Sequence, residues 1–416
     1  MAGAGRPGRM TAPSAPPAPI PLAEAQGRLL AMVEPLGAET VPVETAAGRF
    51  LAADLLARRT QPPADLSAMD GYAVRADDLA GPWRVVGRSA AGHPFGAPVA
   101  TGEAVRIATG ALLPEGAGAV LLQEEAERDG DTLRLAPGGA PDARHIRRTG
   151  FDFRAGELLL ARGARIGPPQ LALAVSGGHS ALPVGRRPTM AVLDSGDELV
   201  ADPAACADHQ IPASNGAMIA AMAAPLARSV TRIGPVADDP EALAAALAQA
   251  DGADVLVTSG GASVGERDLV RPAIERWGAT IAFWRVAMRP GKPVLVARRG
   301  RQWVIGLPGN PVSSYVTAVL FVLPLLRALA GATGAARLPL SLCAPLSAPL
   351  PATGARLEFV RAVLCADGVT PLREQDSSAL ASLAAANALI ERPAGAAPAR
   401  AGEAVRVLPL GDVGFA

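Results

Sequence analysis

The stretch ADVLVTSGGASVGERD, residues 253–268, is an apolar run that opens into a glycine-rich turn ending in acids. A short apolar run bounded by turn residues is a buried strand, and a strand feeding a glycine turn and then a helix is a βα unit. The pattern returns in other letters as WVIGLPGNPVSSY, residues 303–315, where a strand runs through a Gly/Pro loop into an apolar helix. Between the two lies a cationic turn, RVAMRPGKP, residues 285–293. Outward from this pair, residues 188–331 read as strand TMAVLDSG, a helix around 215–228, strand SVTRIG, helix 240–250, strand DVLVT and helix 268–277. Strands TIAFWRV, PVLVARR and WVIGL and helix 312–330 complete the unit. Strands alternating with helices predict a largely parallel sheet covered on both faces. Ligands of such sheets bind beyond the carboxyl ends of the strands.

The flanks read differently. Residues 1–19 are Gly, Ala, Pro and a few Arg, without the apolar core of a signal peptide, and read as a disordered tail. Residues 20–36 carry apolar positions at helical spacing. Over 59–149, short strands such as WRVVG, AVRIATG and AVLLQEE between Gly/Pro turns predict a small β unit inserted into the chain. Residues 20–58 and 150–187 then form a linking domain on either side of it. From 336 to 416, Pro-punctuated strands predict a second β unit.

Composition narrows the function. The formal net charge is zero over 416 residues and aromatics are 3%, so neither a basic field nor stacking rings invite nucleic acid. Three scattered cysteines and four scattered histidines form no CxxC pair and argue against both a disulfide framework and a soft-metal site. The longest apolar run, YVTAVLFVLPLL at 315–326, is short for a membrane span, contains Pro324 and reads as a buried helix. The expectation is a cytoplasmic protein that binds neither nucleic acid nor membrane.

Several stretches could carry chemistry. In SGGASVGERD, Gly260 and Gly261 let backbone N–H groups approach an anion, Ser259 and Ser263 add hydroxyls, and a helix begins just beyond. No Gly-Lys-Ser/Thr follows, so this is not a P-loop; Asp268 is either a helix cap or a ligand of a divalent cation, for which Mg²⁺ is the choice beside an anion. Asp239 and Pro240 suit the cap and first position of a helix, which leaves Asp238 for ligand or charge positioning. DSGDEL offers Asp194, Asp197 and Glu198 toward the same rim or as a capped turn. Arg285, Arg289 and Lys292 make the cationic turn an oxyanion site, unless it is merely a solvated loop. In GLPGNP, Pro308, Gly309, Asn310 and Pro311 shape either a rigid helix entry with Asn310 as N-cap or a pocket rim. Asp70-Gly71 in SAMDGYAV is first of all a hairpin signal; Thr109 and Asp152 attract no notice alone.

Taken in order, these stretches resemble the MoeA family, the molybdopterin molybdenumtransferases related to the gephyrin E domain. The motifs are SAMDGYAV (67–74), RIATGALLPEGAGAV (106–120), IRRTGFDF (146–153), DSGDEL (194–199), SNGAMI (214–219), DDPEAL (238–243), TSGGASVGERD (258–268), AFWRVAMRPGKP (282–293), GLPGNPVSS (306–314) and ASLAAANALI (381–390). Together they cover about 20–392.

The resemblance implies a multidomain α/β plus β protein. It would comprise a MogA-like parallel-sheet α/β domain (188–331), the inserted β domain, the linking domain and a C-terminal β-barrel-like domain (336–416). It implies a homodimer in which Asp70 and Thr109 of one subunit complete the site of the other. The implied reaction is molybdate insertion into adenylyl-molybdopterin with Mg²⁺-dependent release of AMP, and a molybdopterin adenylyltransferase would be the upstream partner. Asp70, Glu198, Asp238 and Asp268 would be catalytic, the last three as metal ligands. Thr109, Asp152, Arg361, Ser377 and Ser378 would join the glycine turn, the cationic turn and GLPGNP in binding substrate. The chain departs from the family pattern at Leu66, Gly118, Phe151, Asp194, Arg285, Arg289, Asp376 and Ala379. Of these, Leu66, Asp194 and Asp376 keep open a catalytically silent cofactor-binding or scaffold paralogue. A MogA-like adenylyltransferase is a second alternative, against which both β units argue.

Overall fold

The computed structural model describes residues 18–260 and 269–410. Its centre is a six-stranded sheet in the order Ser229–Val236, Thr189–Ser195, Val255–Ser259, Gln302–Leu307, Leu295–Arg299, Thr280–Trp284. The first four strands run parallel, Leu295–Arg299 runs against them, and the edge strand Thr280–Trp284, antiparallel to it, points the same way as the first four. Side chains alternate across a strand. Met190, Val192, Val255, Val257 and Ile305 therefore share one apolar layer with helices Ser214–Ala223 and Pro311–Leu329. Ala191, Leu193, Leu256 and Val304 share the other with helices Pro240–Gln249 and Val270–Arg276. Burial on both faces explains why these strands read as unbroken apolar runs.

The apolar run around 315–326 lies inside the helix expected over 312–330, which the structure shows as Pro311–Leu329. Pro311–Leu329 is 19 residues, long enough by itself to cross a bilayer, but 94% of its 18-residue apolar window is buried inside the protein. A π-helical stretch, Ala318–Val322, lies just before Pro324, whose missing N–H and ring break the ordinary hydrogen-bond ladder. Helix Leu22–Ala31 packs on its far end, with Gln26 Nε2 donating to the Leu320 carbonyl at 2.9 Å.

Strand Ala38–Pro42 pairs with Ala181–Gly185, and Val43, Leu51, Ile166 and Leu182 form a small core that joins the two arms of the linking segment. The inserted unit is a six-stranded sheet built from residues 71–135. Its Asp70-Gly71 pair is not a hairpin turn. Gly71 starts strand Gly71–Arg75 between two partner strands, and a Cβ there would lie 2.0 Å from the Leu121 carbonyl oxygen. Glycine is needed for close backbone approach, not for turning.

The C-terminal unit is a sheet in the order Met288–Arg289, Leu357–Cys365, Ala388–Arg392, Ala404–Pro409, Leu342–Pro345, with Gly368–Pro371 on Leu357–Cys365. A bridge from Leu346 to Val369 brings its edges together and gives it a barrel-like closure. Its first strand is borrowed: Met288 and Arg289 leave the cationic turn of the α/β domain and pair in parallel with Leu357 and Glu358.

Candidate active site

Three parallel strands end side by side at Ser195, Ser259 and Leu307, and the loops beyond them form one rim. Asn215, in the first turn of helix Ser214–Ala223, ties this rim together. Its Nδ2 donates to Ser259 Oγ at 2.9 Å and to the Gly309 carbonyl at 2.6 Å. Gly260 follows with φ of +97°, and Gly309 lies against it. Gly261, Ser263 and Asp268 lie outside the described residues. Among the described residues, every buried side-chain oxygen without a hydrogen-bond partner belongs to this edge: Asp194 Oδ1, Ser195 Oγ, Asn215 Oδ1 and Thr258 Oγ1. Buried polar atoms are normally paired, so orphaned oxygens gathered at one strand edge mark a place built for something else.

Asp194 does not project to the rim as its place in DSGDEL predicts. It alternates onto the face covered by helix Ser214–Ala223 and is 3% exposed. The helix comes so close that a Cβ on residue 216 would lie 2.1 Å from Asp194 Oδ2, which is why Gly216 stands there. Burial pushes the Asp194 carboxyl up to about 6, against the pull of Arg232 at 4.0 Å and the Gly216 N–H. Glu198 and Asp238 stand on neighbouring loops, and Asp197 Oδ1 accepts the Asp238 N–H at 3.0 Å. Asp239 caps helix Pro240–Gln249 through the N–H groups of Glu241 and Ala242. Among the described residues no three His, Cys, Asp or Glu side chains converge as a ligand set.

The cationic turn is held from both sides. Ile20 exchanges backbone hydrogen bonds with Arg285 and Ala287, and Leu357 N–H donates to the Ala287 carbonyl at 3.1 Å. Arg285 adopts φ of +73° and stacks its guanidinium over Trp284 at 5.0 Å. Arg289 and Lys292 face a cleft of about 770 Å³ between the α/β and C-terminal domains, together with Ser313, Arg356, Arg373 and Ser377. Glu358, 3.6 Å from Arg289, and Asp376 are the acids of this cleft, so cations outnumber them. Arg356 and Arg373 sit in unremarkable sequence, and only the apposition of two domains reveals them.

Asn310 occupies the N-cap position before Pro311, yet its side chain makes no capping bond. It donates instead to Ser377 Oγ at 2.8 Å, while the Ser377 carbonyl accepts the Val312 N–H at 3.1 Å. Pro308 is fixed by the hydroxyl of Ser314, which donates to its carbonyl. Ser377 is thus a latch between domains. Ser378 donates to Asp376 Oδ1 at 2.6 Å, an interaction that exists because residue 376 is Asp. Arg361 is a correction: it is 1% exposed, and its guanidinium donates to the carbonyls of Glu374, Asp376 and Ala379. It shapes the serine loop rather than facing the cleft.

On the inserted sheet, Asp70 Oδ1 accepts the Thr109 N–H at 2.6 Å, and this bond holds its carboxyl below the usual range. Both residues are exposed, on a sheet separate from the one that carries Gly309. Asp152 is exposed beside Phe151, which is 75% exposed.

Comparison with known proteins places this arrangement in a class of multidomain proteins in which an α/β domain sits between a two-part N-terminal region and a C-terminal β domain. Residues 20–178 match the MoeA N-terminal region (domain I and II), 191–328 the probable molybdopterin binding domain, and 343–410 the MoeA C-terminal region (domain IV). The molybdopterin molybdenumtransferase of Bacillus subtilis is 35% identical over 410 residues, 94% of this chain and 94% of that one. The same-named protein of Haemophilus influenzae is 36% identical over 317 residues, 75% of this chain and 78% of that one. A molybdopterin biosynthesis MoeA protein structure from Pyrococcus horikoshii matches with a TM-score of 0.80 at 26% identity, covering 94% of this chain and 100% of that one. The chain belongs to the MoeA family.

Proposed function

We infer that this protein is a molybdopterin molybdenumtransferase of molybdenum cofactor biosynthesis, which inserts molybdate into adenylyl-molybdopterin. The observation that carries this reading is the pairing of an anion-ready rim with a cationic cleft. The Asn215–Ser259–Gly309 network and the unpartnered hydroxyls of Ser195 and Thr258, which can donate to an oxyanion, lie at the carboxyl ends of the parallel strands. Arg289, Lys292, Arg356 and Arg373 line the interdomain cleft. A pterin phosphate bound at the rim meets backbone N–H groups and a helix N-terminus. Molybdate in the cleft meets guanidinium forks suited to tetrahedral oxyanions.

The donors on the loops at 197–198 and 238 are oxygens only, which fits a hard divalent cation such as Mg²⁺ and not a thiophilic metal. Glu198 and Asp238 would hold it, with Asp268 as the third ligand that the family motif supplies. Bound there, it neutralises phosphoanhydride charge. The chain's own residues do the positioning. Asn215 sets the spacing between the Ser259 and Gly309 loops, and the Asn310–Ser377 bond ties the GLPGNP loop to the C-terminal domain. Arg289 and Lys292 offset the charge on substrate oxygens. Asp70 and Thr109 complete the site from the second subunit of a homodimer, and the product is formed with release of AMP.

The test is AMP release from adenylyl-molybdopterin by purified protein. Release should require both molybdate and Mg²⁺, and a well-folded protein that releases no molybdate-dependent AMP overturns the reading. Mixing Asp70→Ala with Asp238→Ala subunits, each inactive alone, should restore up to about a quarter of the possible sites if the site forms in trans.

A further inference from the structure

The least explained residue beside the rim is Asp194, which lies under the helix start that borders it. It is nine-tenths buried and more, it points at the first turn of a ten-residue helix, and one of its oxygens has no partner. The N-cap position, Ala213, has no side-chain acceptor, so Asp194 takes the place that an anion would occupy at this helix start. Arg232 reaches across from strand Ser229–Val236 to the same carboxylate and to the Ala213 carbonyl. These are the groups an incoming phosphate would use.

We propose that Asp194 is a protonation-linked specificity residue: ionised, it occupies the Gly216 N–H and Arg232 itself; protonated, it yields both to the phosphate of the substrate. The proposal rests on the reading that a phosphate-bearing ligand binds this rim, and it adds which residue regulates that binding. Among the described residues, Arg232 is the charged group facing Asp194 from strand Ser229–Val236. Strand Val255–Ser259 presents Ser259, and helix Ser214–Ala223 presents Asn215 and the Gly216 N–H, none of which titrates. The acids Asp197 and Glu198 stand on the exposed loop beyond. Burial raises the carboxyl to about 6, so the exchange falls at mildly acid pH. By linkage, an anion that binds better to the protonated form must draw a proton onto Asp194 as it binds.

The test uses inorganic pyrophosphate as the probe, titrated calorimetrically into the full chain at pH 5.5, 6.5 and 8.0 in two buffers of different ionisation heat. Asp194→Asn, the neutral isostere, reports the probe's own pH dependence. At pH 8.0 Asp194→Asn should bind about tenfold tighter than the wild type, the scale of one partly screened charge at this range. At pH 5.5 the two should converge, and at an intermediate pH of about 6.5 only the wild type should take up additional proton. Equal affinities at pH 8.0, or no pyrophosphate binding by either protein, overturn the proposal. Asp194→Ser repeats the measurement should the Asn variant fold poorly. The gap in thermal stability between wild type and either variant should also widen from pH 5 to pH 8; a gap that does not move shows that Asp194 does not titrate there, and ends the idea. AMP release is a separate readout. Its absence alongside pH-dependent pyrophosphate binding removes the proposed reaction and leaves this inference standing.

Discussion

Two buried charges, one in each of the domains that frame the cleft, meet opposite fates. In the C-terminal domain, Arg361 leaves its Nε without a partner but donates through both terminal nitrogens to three backbone carbonyls of the loop at 374–379, and Gln375 returns a bond to the Arg361 carbonyl at 3.0 Å. In the α/β domain, Asp194 has one close N–H partner, an arginine at 4.0 Å and an oxygen with none. A buried charge whose bonds go to backbone is a staple, because each bond fixes a segment that would otherwise have to be solvated. A buried charge with an orphaned oxygen is a standing cost. Such costs persist where the site itself needs them. The difference separates what holds the loop of Ser377 in place from what the rim keeps available for a ligand.

The comparison breaks most sharply at Arg361. Arg361→Met should lose about 3 kcal/mol or more in urea unfolding, since three carbonyls lose their donors together. Arg361→Lys should recover little of it, because an ammonium cannot fork to the same acceptors. A near-neutral result would remove Arg361 as a staple.

At Asp194 the sign reverses. A carboxyl raised from 3.8 to about 6 on folding makes the folded state the better proton binder, so its contribution to stability falls as pH rises between those values. Asp194→Ser should therefore be more stable than wild type at pH 8 by about 2–3 kcal/mol, with the gain vanishing below about pH 4. Denaturant midpoints across pH check this. Asn310→Ala should cost about 1 kcal/mol by removing the bond to Ser377. Its sharper consequence is a raised KM, because the cleft loses its latch. The smallest stability effect belongs to Arg289→Ala, under about 0.5 kcal/mol, since its ion pair with Glu358 is solvent-exposed. If the cleft reading holds, the same variant should release AMP far more slowly, so stability and activity part company there.

The strand-helix alternation from 188 to 331 was legible because its periodicities are strong, and each predicted strand and helix of that unit is present within a few residues. The cap at Asp239 and Pro240 was equally legible, as local hydrogen-bond chemistry needs no tertiary partner. Legibility ended where one residue type serves two purposes. Asp70-Gly71 carries the letters of a hairpin but starts a central strand, because Leu121 approaches from elsewhere in the chain. Asn310 carries the letters of a cap, but Ser377, far along the sequence, draws its amide away. Arg361 looked like an oxyanion ligand until burial turned it toward the backbone.

By itself, the sequence determined the α/β character of the centre, the position of its rim at the strand ends and the motif order that marks the family. Those follow from local periodicity and turn chemistry, which are written into contiguous residues. Tertiary structure decided that the cationic turn leaves one sheet to join another, that Arg356 and Arg373 share its cleft, and that Asp194 lies under a helix start rather than on the rim. Each depends on which face meets which neighbour, and burial, with the electrostatics it brings, exists only once the chain has packed.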